Sequence, residues 1–227
     1  MVTNMTTQED RAGAPASGSR AEVAYQRLKS AIQARQFEPG QRMREAEIAT
    51  WLGISRTPVR DALKLLESDG LLVAAPRRGL IIAELDQQQV VEIYALRSML
   101  EGLAARMAAQ HASPAEMSAL ADVVQRQADT PADADPAVLA DLNRRFHQLI
   151  YRAARNRYLL DVLESLESSL ALLPGTTYSA AGRRETAHAE HKAIVTAIEA
   201  HDADGAEAAA RRHIQEAERV RLVMMLG

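Results

Sequence analysis

The chain has 227 residues, of which 47% are hydrophobic, only 4% are aromatic and none is cysteine. This composition, with no apolar run near the roughly 20 residues of a membrane-spanning helix, excludes membrane and disulfide-linked classes and predicts a cytoplasmic, mainly helical protein. The net charge of −3 is uneven, since residues 20–84 carry 11 basic and 8 acidic side chains whereas residues 85–227 carry 15 and 20, so only the first region suits a polyanion.

The predicted elements begin with a flexible tail over residues 1–19, because this segment is rich in Thr, Ala, Gly, Ser and Pro and has few large apolar groups. Three helices follow, since apolar residues recur at helical spacing between turn signals. Gly53 supplies the turn between the second and third helices, and Ser55 can cap the third. The three helices are predicted at residues 22–36, 45–51 and 55–69.

Two short strands are predicted after the third helix. Residues 71–76 and 79–85 are largely apolar and flank a basic turn, which is typical of a β-hairpin. Three helices followed by a hairpin predict a winged helix-turn-helix domain over residues 20–85.

The third helix begins with side chains that suit a DNA groove. Arg56 and Arg60 are four residues apart and share one face, with Thr57 beside Arg56. An arginine at the amino-terminal end of a recognition helix can donate two hydrogen bonds to a guanine, whereas Ser55 and the helix terminus suit a phosphate. The alternative is a solvated basic helix, but the cap, the turn glycine and the basic hairpin together favour DNA binding.

The turn of the hairpin supplies the other candidate DNA contacts, Arg77, Arg78 and Gly79. Glycine allows close approach to the DNA backbone, and arginine is attracted by the negative potential of a minor groove. The wing is therefore predicted to bind beside the groove that the third helix occupies.

The segment PGQRMREAEIATWLGISRTPVRDALKLLESDGLL resembles the amino-terminal signature of GntR-type bacterial transcription regulators, and the similarity covers about residues 21–85. The resemblance implies a winged helix that binds double-stranded operator DNA. It also implies DNA contacts at five matching positions, namely Arg44, Arg56, Thr57, Arg60 and Gly79.

About six helices are predicted for residues 86–227, and an antiparallel bundle is their simplest packing. Three start signals are Asp86, the capping box that begins at Ser113, and Asp135 before a proline. Segments rich in turn formers separate helices at residues 129–136, 174–182 and 201–205. The fold expected for the whole chain is therefore mainly α, with a winged helix followed by an all-helical domain.

Polar side chains on the inward faces of this bundle indicate a second site. Asn143 and His147 lie one helical turn apart on an apolar stripe, and His191 and His213 lie on the apolar stripes of two later helices. Each histidine alone could be a satisfied core residue, but three on three helices, with an oxygen donor, favour a site for zinc or a similar divalent ion. The other three histidines fall near helix ends or off the stripes and are predicted at the surface: His111, His188 and His201.

Arg97 is another polar residue on an inward face, where it shares a stripe with Tyr94 and precedes Glu101 by one turn. Two interpretations remain open. Arg97 forms an internal ion pair with Glu101, or its guanidinium binds the carboxylate of a ligand. Together with a metal, the second interpretation gives two positive anchors for a small carboxylic acid.

The segments NRRFHQLIYRAARN and EHKAIVTAIEAHDADGAEAAARRHI resemble the FCD sensor domain of FadR-like GntR regulators, over most of residues 88–222. The resemblance implies effector binding, often through the arginine of a YxLR segment, which is Arg97 here. It also implies a divalent metal held by an Asp-x-x-x-His pair and two later histidines. The matching positions are Asn143, His147, His191 and His213. Asparagine replaces the carboxylate of that pattern, so a weaker metal site is expected.

Two functions remain at this point. The first is a homodimeric regulator, expected to be a repressor, whose small carboxylate effector alters the spacing of two winged helices on a palindromic operator. The second is a metal-dependent hydrolase that the first domain tethers to DNA. The sequence favours the regulator, because the acid next to His191, Glu190, points about 100° away along the helix. A sensor that works without metal is a third possibility.

Overall fold

The computed structural model describes residues 17–226. The described elements are α1 (Ser17–Gln33), α2 (Glu45–Leu52), α3 (Arg56–Ser68), β1 (Leu72–Ala75), β2 (Gly79–Ile82), α4 (Gln87–His111), α5 (Pro114–Asp129), α6 (Pro136–Ala153), α7 (Arg157–Leu170), a 3-10 turn (Thr177–Ser179), α8 (Arg183–Glu199) and α9 (Ala203–Leu226). Residues 1–16 of the predicted tail lie outside the described residues, and residues 17–19 belong to α1, which begins earlier than the helix predicted from residue 22.

The first five elements form the predicted winged helix. Apolar side chains from α1, α3 and β2 meet in one core, including Leu28, Leu63 and Ile82. The turn between α2 and α3 places Gly53 at φ 71°, a left-handed conformation that glycine adopts at little cost. The strands pair antiparallel, with Leu72 opposite Ile82. The hairpin therefore lies beside the carboxyl end of α3, and the predicted fold of this region is confirmed.

Helices α4 to α9 form the predicted all-helical domain around a second core, to which all six contribute buried side chains. The predicted capping box is present, since the Ser113 side chain accepts a hydrogen bond from the Glu116 amide. Asp86, which was predicted only as a start signal, also forms a capping box, in which its side chain accepts a hydrogen bond from the Gln89 amide. Asp135 caps α6. None of the helices in residues 17–226 is long and apolar enough to cross a membrane.

The segment that follows α7 joins the two domains. Leu172 is only 2% exposed and belongs to the core of the winged helix, although it lies far away in sequence. Gln33, at the end of α1, donates a 2.9 Å hydrogen bond from Nε2 to Oγ of Ser168 on α7. The winged helix is thus packed against the part of the helical domain that lines the cavity described below.

Candidate functional site

Helix α3 presents one apolar and one polar face. Its apolar side chains are buried in the winged-helix core, which fixes the orientation of the helix. The opposite face is exposed and carries the predicted groove-reading residues Arg56, Thr57 and Arg60. Because the buried face holds α3 in place, these side chains project from a helix of fixed orientation, as recognition of DNA base edges requires.

Two predicted DNA-binding arginines form exposed ion pairs. Arg60 donates two hydrogen bonds to Glu45 on α2, from Nε at 2.9 Å and from Nη2 at 3.0 Å. Arg44 contacts Glu47 at 2.7 Å. Exposed pairs of this kind contribute little to stability, so both guanidinium groups can exchange their carboxylate partners for DNA.

The cap that was predicted at Ser55 is only partly present. Ser55 occupies the N-cap position of α3 with extended backbone, but its side chain makes no capping hydrogen bond. The prediction of a side-chain cap was therefore wrong. The exposed hydroxyl remains available for another acceptor or donor, such as a phosphate.

The wing places its three predicted residues differently. Arg77 is exposed at a positive φ of 62°, and Gly79 follows at 76°. Arg78 instead donates a 2.7 Å hydrogen bond from Nη2 to the carbonyl of Gly40, which holds its side chain against the domain. Of the two wing arginines, Arg77 is thus the one that is freer to reach a groove.

The three inward-facing histidines come together in the helical domain. His147 on α6, His191 on α8 and His213 on α9 are each at most 4% exposed. Nε2 of His213 lies 3.2 Å from Nε2 of His147 and 3.3 Å from Nε2 of His191. Together the three residues form a group whose ligand atoms lie within 4.8 Å of one another. We call this group the histidine centre.

A hydrogen-bond acceptor holds the other ring nitrogen of each histidine. Nδ1 of His147 lies 2.6 Å from Oε2 of Glu101, and Nδ1 of His213 lies 2.7 Å from Oε2 of Glu190. Nδ1 of His191 lies 2.9 Å from Oε1 of Gln127. These acceptors place the proton on Nδ1, so all three Nε2 lone pairs point into the histidine centre. Acceptors of this kind orient metal-binding histidines in proteins.

The histidine centre fits a divalent ion. Burial lowers the pKa of His191 and His213, and neighbouring imidazoles lower it further, so both rings remain neutral. Nitrogen lone pairs that face one another at 3.2–3.3 Å in a buried site are unfavourable without a cation. Tetrahedral zinc with bonds of about 2.0–2.1 Å would separate its nitrogen ligands by about 3.3 Å. The neutral donors and their spacing therefore match such an ion.

Asn143, the predicted oxygen donor, lies on α6 and is partly buried. It lines the same cavity as His147 and His213. Its Oδ1 accepts a hydrogen bond from the Tyr178 hydroxyl at 3.2 Å, which uses one of the two lone pairs of that oxygen. Whether Asn143 joins the three histidines as a ligand stays a prediction.

The structure forms the ion pair that was one interpretation of Arg97. Arg97 is 8% exposed, and its Nε donates to Oε1 of Glu101 at 2.7 Å. Burial alone raises the pKa of Glu101, but the charge of Arg97 and the hydrogen bond from His147 outweigh it and hold the pKa below its usual range. Since Arg97 also lines the cavity, the ion pair and a role in ligand binding are compatible.

A cavity of about 210 Å³ lies beside the histidine centre. Among the described residues, its lining includes five arginines and one acid, Glu167. Burial raises the pKa of Glu167, which favours its neutral form. Arg183 is 3% exposed and donates to Glu190 at 2.8 Å, while its Nε is buried without a partner among the described residues. This lining suits a small anion. The five arginines are Arg35, Arg97, Arg144, Arg183 and Arg221.

Sequence reasoning missed several members of this site. Gln127 continues the buried stripe of α5, so its inward position was readable from the sequence. Glu190 does point away from His191, as predicted, but it contacts His213 on the next helix. Of the histidines that were predicted at the surface, His111 and His201 are exposed, and Nδ1 of His201 lies 2.8 Å from the Ala109 carbonyl. His188 is instead half-buried, and its Nδ1 has no hydrogen-bond partner within residues 17–226.

Comparisons with known proteins match both regions. Residues 20–82 match the model of the "Bacterial regulatory proteins, gntR family", and residues 92–216 match that of the FCD domain. The HTH-type transcriptional regulator YdhC of Bacillus subtilis is 31% identical over 195 residues, which cover 84% of each chain. The "Probable D-xylose utilization operon transcriptional repressor" of Paenarthrobacter nicotinovorans is 33% identical over 177 residues, 77% of this chain and 76% of the relative.

The fold also matches a solved structure, that of Escherichia coli McbR/YncC. The TM-score is 0.80 at 24% identity, over 92% of this chain and 99% of that chain. The common architecture includes both the winged helix and the helical domain.

Proposed function

The chain belongs to the GntR family of bacterial transcription regulators and carries an FCD effector-binding domain, and we propose that it is a repressor controlled by a small carboxylic acid. The family and the relatives are transcription regulators and not enzymes, which disfavours the hydrolase alternative. In this proposal, residues 20–85 bind DNA, and residues 86–227 bind the effector and form the dimer. The regulator acts in the cytoplasm, where operator DNA lies.

The observation that carries the proposal is the arginine-rich cavity next to the histidine centre. His147, His191 and His213 would hold a divalent ion such as zinc, with Asn143 as the candidate oxygen donor. When bound, the ion supplies a Lewis-acid anchor for a carboxylate. Arg97 binds the same carboxylate, because its planar guanidinium matches the geometry of a carboxylate.

The proposed DNA contacts lie on one exposed surface of the winged helix. Arg56, Thr57 and Arg60 read base edges, and Ser55 binds a phosphate. Arg60 gives up its pair with Glu45 when it binds DNA. The remaining proposed contacts are Arg44, Arg77, Arg78 and Gly79.

A homodimer would place two recognition helices on a palindromic operator. Helix α4 supports this arrangement, because Leu96, Met99 and Leu103 form an exposed apolar stripe along one face, with 50%, 59% and 40% of their surfaces accessible. A second copy of the chain would cover this stripe. The effector changes DNA affinity only if it binds one arrangement of the dimer better than the other.

Binding sites selected from a random pool of double-stranded DNA provide the test. We expect a palindromic consensus, and we expect the Arg56→Ala and Arg60→Ala variants each to bind it at least about fivefold more weakly in gel shifts, because a base contact contributes about 1–3 kcal/mol. Arg219→Ala, which removes an exposed arginine of α9, is the matched control. Unchanged binding by both α3 variants would refute the recognition assignment, and a consensus with a single half-site would refute the dimer.

A further inference from the structure

One residue of the winged helix lines the cavity of the helical domain. Arg35 follows α1 in the connection to α2, at a positive φ of 56°. Its guanidinium donates a hydrogen bond to the carbonyl of Gly175, and Arg35 belongs to the cavity lining. The cavity is therefore built from both domains.

Arg221, on α9, meets Arg35 at this boundary. It is 4% exposed and donates from Nη1 to the Pro174 carbonyl at 2.7 Å and from Nη2 to the Gly175 carbonyl at 3.3 Å. Two guanidinium ions thus share one neutral oxygen, that of Gly175. The Nε of Arg221 is buried and has no hydrogen-bond partner within residues 17–226.

The charge at this boundary is not balanced. Arg144 also lines the cavity and pairs with Asp141 at 2.6 Å, but neither Arg35 nor Arg221 forms a salt bridge in the described part of the chain. Burial and the charge of Arg221 lower the pKa of Arg35, and the nearby carboxylate of Glu38 offsets only part of this effect. An anion would relieve this repulsion and satisfy the free Nε donor.

We propose that Arg35 and Arg221 bind a second anionic group of the effector, which makes the effector a short dicarboxylate that connects the two domains. This inference rests on the proposed carboxylate effector and adds the second subsite to it. One carboxylate binds beside the histidine centre and Arg97, and the other binds at the domain boundary. A volume of about 210 Å³ is about seven times the roughly 30 Å³ of a water molecule in the liquid, which leaves room for a short dicarboxylate.

In this arrangement, ligand binding would act directly on the DNA-binding domain. Because Arg35 immediately follows the first helix of the winged helix, a bound dicarboxylate restrains that helix directly. The effector then favours the arrangement of the two domains in which Arg35 and Arg221 are close together.

Titration calorimetry on the full chain in zinc-containing buffer tests the inference. The probes are succinate and glutarate, each compared with the monocarboxylate of equal length, butanoate or pentanoate. We expect the wild type to bind the dicarboxylates about tenfold more tightly, because charge-assisted hydrogen bonds add to the affinity. Arg35→Asn should remove this preference and leave monocarboxylate affinity within about twofold. Asparagine tolerates the positive φ, so the variant should fold.

Two further variants serve as controls. Arg35→Lys keeps the charge and should retain part of the preference, whereas Arg20→Asn, at an exposed position of α1, should change nothing. Equal affinity of the wild type for acids with one and two carboxylates, or equal weakening of both by Arg35→Asn, overturns the second subsite and leaves the carboxylate effector intact. If the wild type binds none of the four acids, both the inference and the proposed effector are wrong.

Discussion

The two domains use the same pair of residue types in opposite environments. On the winged helix, Arg60 and Glu45 form an ion pair whose side chains are 58% and 36% exposed. In the helical domain, Arg97 and Glu101 form a pair whose side chains are 9% and 3% exposed. Water can replace either partner of the first pair, whereas the second pair is largely shielded from bulk water. An exposed arginine is therefore free to exchange partners, whereas a buried one determines how its neighbours are arranged.

The largest expected effect tests this contrast directly. Glu101→Gln leaves the buried charge of Arg97 uncompensated and weakens the bond that orients His147. We expect it to lower the free energy of unfolding by about 3–5 kcal/mol, measured by urea denaturation. Glu45→Gln is the matched change in the exposed pair and should leave the unfolding midpoint unchanged. Equal effects of the two substitutions would show that burial does not distinguish the pairs.

Addition of zinc tests whether the buried histidine centre also stabilises the helical domain. For protein treated with chelator, zinc at about 100 times its dissociation constant should raise the unfolding free energy by about 2.7 kcal/mol, because it binds the folded state alone. His213→Gln should abolish this increase, while His111→Gln, at an exposed position, should retain it. Thermal melts with and without zinc provide the measurement. A comparable zinc effect in the His213→Gln variant would exclude the histidine centre as the binding site.

The smallest expected effect compares the two serines that precede helices. Ser113 bonds the Glu116 amide at 3.3 Å and completes a capping box, so Ser113→Ala should cost about 1 kcal/mol of stability. Ser55 makes no side-chain cap, so Ser55→Ala should cost less than about 0.5 kcal/mol. Instead, it should weaken DNA binding by loss of a phosphate contact. A loss of stability at Ser55 equal to that at Ser113 would contradict the structural assignment.

The fold of both domains followed from local patterns. Apolar spacing and turn residues predicted the winged helix and the six later helices, and the capping box at Ser113 predicted the start of α5. The main differences from the prediction lie at the beginnings of two helices, α1 and α3. Ser55 occupies the cap position without making the side-chain bond, and α1 extends back to Ser17.

The sequence by itself determined which faces of the helices turn inward, because the period of 3.6 residues assigns each side chain to a face. This was enough to bring His147, His191 and His213 to one interior. The period does not state which neighbouring helix a side chain meets, since that depends on how the helices pack. Only the tertiary structure placed Glu101 against His147 and Arg35 at the cavity of the other domain. The chemistry of single residues is thus encoded locally, whereas their partners are decided by contacts between distant segments.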